Sequence, residues 1–243
     1  MNEAPKLSES EYLEYVELLL NLVVLQPRNS HHKFENEYFL HLQGLISAVL
    51  ECGISAKELV VEKRYFAANI VLRSILEHLI LALYLFKSKT GVQESEYLRK
   101  KSVHDLVNMA IKANAQTANN DMLEKNGHIR IQDFEFLKST PQIIKKFKQE
   151  TVLMDFYFLF SQNAHPLSAS YMYSDYDEAN KIPIIKRVSN HSDPMTLLPH
   201  VFRFAALALI LDSELRADEK LHKIVSAMIE KEGFNPNLEL LVY

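Results

Sequence analysis

The chain has 243 residues, 48% of them hydrophobic, which is enough for a sizeable buried core, and its formal net charge is −4. Five glycines and eight prolines are too few for the many turns of a sandwich or barrel, and a single cysteine excludes both an internal disulfide and a cysteine-based zinc site. The acidic balance makes no polyanion trap of the whole surface, so a nucleic acid would have to meet a local basic patch.

The opening, MNEAPKLSESEYLEY, lacks the basic and apolar regions of a signal peptide. The longest apolar runs, residues 79–86 and 204–211, fall short of the ~20 residues of a membrane span. The expectation is a soluble cytoplasmic protein with no membrane partner. Ser8 and Glu11 stand at capping-box spacing and predict a first helix that stops at Pro27. A second helix is predicted from about Lys33 to Cys52, ended by Gly53. Ser55 and Glu58 repeat the capping-box spacing and predict a long helix from about Ala56 to Phe86, broken by Thr90 and Gly91. Residues 93–116 are amphipathic and charged, residues 115–128 read as a surface loop, and a short helix is predicted over 131–138. Thr140-Pro141 starts another helix, which runs to Asn163 or Ala164. Residues 165–194 hold three prolines and no helical period, with KIPIIKRV (181–188) as a short strand or extended arm. A last helical stretch spans roughly 195–231, with a bend placed near Pro199, and the tail FNPNLELLVY is irregular.

This pattern predicts an all-α bundle of six to eight helices in one domain over residues 1–243. Two helical layers joined at 115–130 is the alternative. The stretches 56–86 and 195–231 are the expected central packing pair.

Asn69, Arg73, Glu77 and His78 interrupt the stretch AANIVLRSILEHLILALYLF (67–86), whose apolar side chains cover the whole circumference and so read as a buried helix. Asn69, Arg73 and Glu77 are spaced i, i+4, i+8 and share one face. Arg73 and Glu77 are expected to pair, either as a structural ion pair or as charges held in a dry cleft. In a second run, TVLMDFYFLF (151–160), the apolar pattern ends at Ser161 and His165, again i, i+4, and Pro166 pushes His165 out of the helix. His165 and Asn163 read as carbonyl caps, or His165 as a proton-donating group at the mouth of a cleft.

RSILEHLILALYL followed by FSQNAHPLSASY resembles the bacterial all-helical domain-of-unknown-function family numbered five-six-seven-seven. The family pairs Arg-x-x-x-Glu in one long helix with Ser-x-x-x-His-Pro-Ser in a later one. Arg73 and Glu77 match the first motif, and Ser161, His165 and Pro166 the second, while Leu167 replaces the usual Ser. The family is similar to the HEPN superfamily of helical bundles, many of which cut RNA in toxin–antitoxin and phage-defence systems. RSILEH also meets the HEPN spacing of Arg and His, but five helical steps turn Arg73 and His78 about 140° apart. The pairing the resemblance implies is therefore Arg73 with His165, across helices. The implied site is Arg73, Glu77, Ser161 and His165, and the implied partner is RNA. The implied chemistry is metal-free: His165 moves the proton of a ribose 2′-hydroxyl or of the leaving oxygen, Arg73 holds the phosphate, and Glu77 orients either. A bacterial stress or phage-defence effector acting as a homodimer is the functional expectation. The alternative is a non-catalytic helical interaction module, with a protein partner, whose Arg-Glu-His network is structural.

Lys145, Lys146, Lys148, Lys186 and Arg187 form a basic cluster, a solvated face unless it flanks His165, where it would track an RNA backbone. His200 and Arg203, one turn apart in apolar company, read as core-edge residues or as part of the same polar cluster. Cys52 reads as a small buried hydrophobe. No metal or cofactor is expected. The chain holds one Glu-x-x-His unit, Glu219 to His222, where a di-iron bundle needs two. Glu37 with His41, and His31 with His32, read as surface groups at a helix start, and neither a Gly-rich phosphate loop nor a Gly-x-Ser-x-Gly elbow occurs.

Overall fold

The structure is a computed structural model, and it describes residues 7–22, 36–98, 102, 139–148, 150–163, 174–177, 179–185 and 193–233. These residues are mostly helical, in keeping with the predicted all-α bundle, and they hold eight helices. In chain order they are α1 (Glu9–Leu22), α2 (Asn36–Val61), α3 (Tyr65–Lys87), α4 (residues 91–98), α5 (Thr140–Ile144), α6 (Glu150–Asn163), α7 (Pro194–Arg216) and α8 (Glu219–Glu232). Strands β1 (Ser174–Asp177) and β2 (Ile182–Ile185) form an antiparallel pair in register Ser174 to Ile185. β2 falls where the extended KIPII segment was expected; β1 was not foreseen. The predicted helix over 131–138 and the loop at 115–128 lie outside the described residues.

The capping box at the start of α1 forms as the spacing predicted. The Glu11 carboxylate accepts from the Ser8 backbone N–H at 2.8 Å, and the Glu11 N–H donates back to Ser8 Oγ at 3.4 Å. Tyr12, Val16, Leu19 and Leu20 then line one buried stripe. The break expected at Thr90 and Gly91 falls at Ser88–Thr90, with Gly91 the first residue of α4, and α5 carries Pro141 in its first turn. At Gly91 a Cβ would lie 1.9 Å from the Leu85 carbonyl oxygen, so only glycine fits there.

Four boundaries differ from expectation. Gly53 does not end a helix; α2 runs straight through it to Val61. A Cβ at Gly53 would stand 3.1 Å from Leu20 Cδ2, so the glycine serves the close approach of α1. The Ser55–Glu58 capping box therefore does not form, and Ser55 Oγ donates instead to Glu51 O, one turn back in the same helix. The true end comes at Lys63, which adopts φ 59, with Arg64 N–H donating to Leu59 O and Lys63 N–H to Val60 O. That is a Schellman ending with lysine where glycine is usual. The stretch 195–231 breaks in the same way at Ala217, φ 53, where Asp218 N–H donates to Ser213 O. Asp218 then caps α8, accepting from Lys220 and Leu221 N–H at 3.1 and 3.0 Å. The helix expected from Thr140 to Asn163 is two, because residues 145–148 turn so that Phe147 is buried while Lys145, Lys146 and Lys148 face solvent.

α7 is the centre of the bundle. It packs against α1, α2, α3 and α8, and α2 and α3 make the most extensive pair. α5 and α6 lie against α3. The apolar core runs from Leu7 on the N-terminal side of α1 to Ile229 on α8. α3 is not buried all round as its composition implied: Ile70 is 40% exposed and Arg73 and Glu77 keep about a third of their side chains in solvent. Among the described residues two helices, α3 and α7, are long and apolar enough to cross a membrane, although the apolar runs within them looked too short in the sequence. In α7 this apolarity faces its four helical neighbours.

Candidate functional site at the α3–α6 seam

Arg73 and Glu77 pair within α3, Nε to Oε1 at 3.1 Å, as the i, i+4 spacing predicted. The guanidinium also reaches across to α6. Its Nη2 donates to the Tyr157 hydroxyl at 3.4 Å, and its carbon lies 5.5 Å from the centre of the Tyr157 ring. Burial works against the charge of Arg73, and the contacts with Glu77 and Tyr157 outweigh it, so its pKa rises. The third member of the stripe turns away: Asn69 is buried, and its Nδ2 donates to Tyr65 O at 3.1 Å. His78 is held within its own helix, Nδ1 donating to Ser74 O at 2.6 Å, so the adjacent Arg–His spacing builds no joint site.

Ser161 stands one turn beyond Tyr157 on the same face of α6. Its Oγ is enclosed and has no hydrogen-bond partner among the described residues. Arg73 and Glu77 are thus joined to α6 through Tyr157, a residue the sequence reading passed over, with Ser161 one turn further along that helix. The signal was available, since Tyr157 and Ser161 are i, i+4. His165 lies outside the described residues, as do Lys186 and Arg187. Lys145, Lys146 and Lys148 are exposed in the turn between α5 and α6.

His200 and Arg203 belong to other clusters. The His200 ring sits among Phe156, Phe160 and Phe204, with ring centres 5.0, 5.5 and 6.0 Å away. Burial, with Arg203 nearby, pushes its pKa down to about 4. Arg203 donates from Nη2 and Nε to Glu232 Oε1 at 2.7 and 3.1 Å, and the Tyr12 hydroxyl donates to the same oxygen at 2.8 Å. This ties α1, α7 and α8 together, and burial, then Glu232, raises the Tyr12 pKa. A third network, also unforeseen, joins α2 to α7: Asp212 Oδ1 accepts from Arg216 Nε at 2.8 Å and from Gln43 Nε2, while Arg216 Nη2 donates to Gln43 Oε1.

Among the described residues, no three His, Cys, Asp or Glu side chains stand together as a metal site. The Glu219 side chain is 89% exposed, and His41 is hydrogen-bonded to Ser95. Burial raises the Cys52 pKa, which disfavours a reactive thiolate there.

Comparison with known proteins found no matching family model, no matching curated protein and no matching solved structure. The likeness to the HEPN-like family rests on the two motifs alone.

Proposed function

We propose that the chain is an HEPN-like, metal-independent RNA-binding or RNA-cutting effector whose site is the α3–α6 seam. The observation that supports this reading is the state of Arg73. Glu77 and Tyr157 hold its guanidinium in place, yet about a third of the side chain meets solvent. A positioned, accessible guanidinium suits a phosphate, and three exposed lysines lie on the turn leading into α6. In this reading Arg73 offsets charge on the phosphate, Glu77 fixes the guanidinium, and His165 carries the proton to or from the ribose 2′-hydroxyl or leaving oxygen. A role in bacterial stress or phage defence, in the cytoplasm and as a homodimer, belongs to the same proposal.

The decisive experiment is cleavage of RNA in the presence of a chelator by the wild type and by His165→Ala. Cleavage by the wild type alone, with equal thermal midpoints, supports the proposal. A second reading is favoured by one observation: Glu77 and Tyr157 already occupy Arg73, as in a structural pin between α3 and α6. In a non-catalytic module of that kind the wild type cuts nothing, and His165→Ala lowers the midpoint.

A further inference from the structure

We infer that His200 is an acid-sensitive clasp between α6 and α7: a proton taken up by its ring lifts α6 from the bundle while the rest of the chain stays folded. The inference is independent of the RNA reading. It begins with how α6 is anchored. The side chains of Val152, Asp155, Phe158 and Leu159 are exposed, and over residues 150–161 Phe160 alone is fully buried. That anchor rests on His200, with ring centres 5.5 Å apart and planes nearly perpendicular. Phe156, one turn earlier on α6, meets the same imidazole edge-on at 5.0 Å. Phe204 stacks on it from the next turn of α7 at 6.0 Å. α7 itself is held by α1, α2, α3 and α8, so α6 is the partner that gives way when this contact fails.

The closed clasp has no place for a charge. Neither nitrogen of His200 has a hydrogen-bond partner among the described residues. From α6 the facing groups are the two phenylalanines; Asp155 is exposed, and the Tyr157 hydroxyl is turned to Arg73 of α3. Arg203, one turn along α7, is the charged group among the described residues that acts on the imidazole, and it repels a second cation. Its own partner is Glu232 of α8, whose Oε1 also takes the Tyr12 hydroxyl of α1. Burial first, and Arg203 second, push the His200 pKa down to about 4. Once α6 lifts, water reaches the ring and the value returns to about 6.5. The open state therefore binds the proton between these values and the closed state does not, so acid favours opening. From pH 7 to pH 5 the opening equilibrium of α6 rises roughly twentyfold. Opening also parts Tyr157 from Arg73, because both contacts lie on α6.

The test is amide hydrogen exchange of the full chain by mass spectrometry at pH 7 and pH 5, each rate divided by the intrinsic rate at its own pH. Peptides covering α6 are compared with peptides from α1 and α7. The expected result is that α6 is less protected than α1 and α7 at both pH values, and that its protection falls roughly twentyfold on acidification. In His200→Phe and His200→Gln that fall should shrink to threefold or less. Protection of α6 that does not change with pH overturns the clasp, because the opening then leaves His200 covered. Exchange of α6 at the rate of α1 and α7 overturns it too, because α6 then opens only when the whole chain unfolds. A fall of full size in both variants assigns the acid response to another group and overturns the role of His200.

Discussion

Replacing His200 with phenylalanine should flatten the acid limb of the stability profile. His200 packs against Phe156, Phe160 and Phe204, and its pKa is depressed to about 4 by burial and by Arg203. The unfolded chain has the ordinary histidine value of about 6.5. Between the two values the unfolded state binds the proton and the folded state does not, so stability falls as the pH falls. His200 costs nothing above pH ~6.5, about 2 kcal/mol at pH 5, and about 3 kcal/mol once the pH passes below the folded value. For a chain of this length 2 kcal/mol corresponds to roughly 4–8 °C in thermal midpoint. The assay is thermal unfolding of the wild type and His200→Phe at pH 7 and pH 5. The quantity to compare is the drop between the two pH values, because carboxylates contribute equally to both proteins and any packing change cancels. A drop in His200→Phe smaller by about 2 kcal/mol is expected. An identical drop in both proteins would refute the reasoning.

Asp212→Ala should cost about 3 kcal/mol in urea denaturation, because it leaves the mostly buried Arg216 without its counter-charge. Ala217→Gly should stabilise by about 1 kcal/mol, since Ala217 holds φ 53 at the end of α7, and an unchanged denaturation midpoint would contradict that account. Asp218→Ala should cost about 1 kcal/mol through the lost cap of α8, read in the same denaturation series. Sedimentation should give a dimer of 28.1 kDa chains at micromolar concentration; a monomer there removes that part of the proposal.

Local chemistry made much of the fold legible. The Ser8–Glu11 box and the start at Thr140-Pro141 are decided by residues within a few positions of one another and formed as read, while the break expected at Thr90-Gly91 falls at Ser88–Thr90. The failures have a common cause in tertiary context. Gly53 looks like a stop signal, but its lack of a side chain serves the approach of Leu20. Lys63 and Ala217 end helices in the left-handed conformation that sequence patterns assign to glycine. At the site, the pairing of Arg73 with Glu77 followed from helical spacing. The contact with Tyr157 did not, because it depends on α6 lying across α3. Arg203 was noticed, but its partner Glu232 lies 29 residues later, beyond a turn the sequence did not mark. Apolarity alone also misled for α3, whose outer face carries Ile70, Arg73 and Glu77 part way into solvent.

The central claim is that Arg73 serves a ligand more than it serves the fold. Its pair with Glu77 is a partly exposed i, i+4 contact, worth about 0.3–0.5 kcal/mol to stability. The direct measurement is RNA affinity and thermal midpoint, determined together for the wild type and Arg73→Gln. The account predicts RNA binding by the wild type, a loss of tenfold or more in the variant in line with a charge-assisted contact of about 1.5–3 kcal/mol, and midpoints within a few degrees of each other. No RNA binding by the wild type, or a variant that binds equally well, would contradict it.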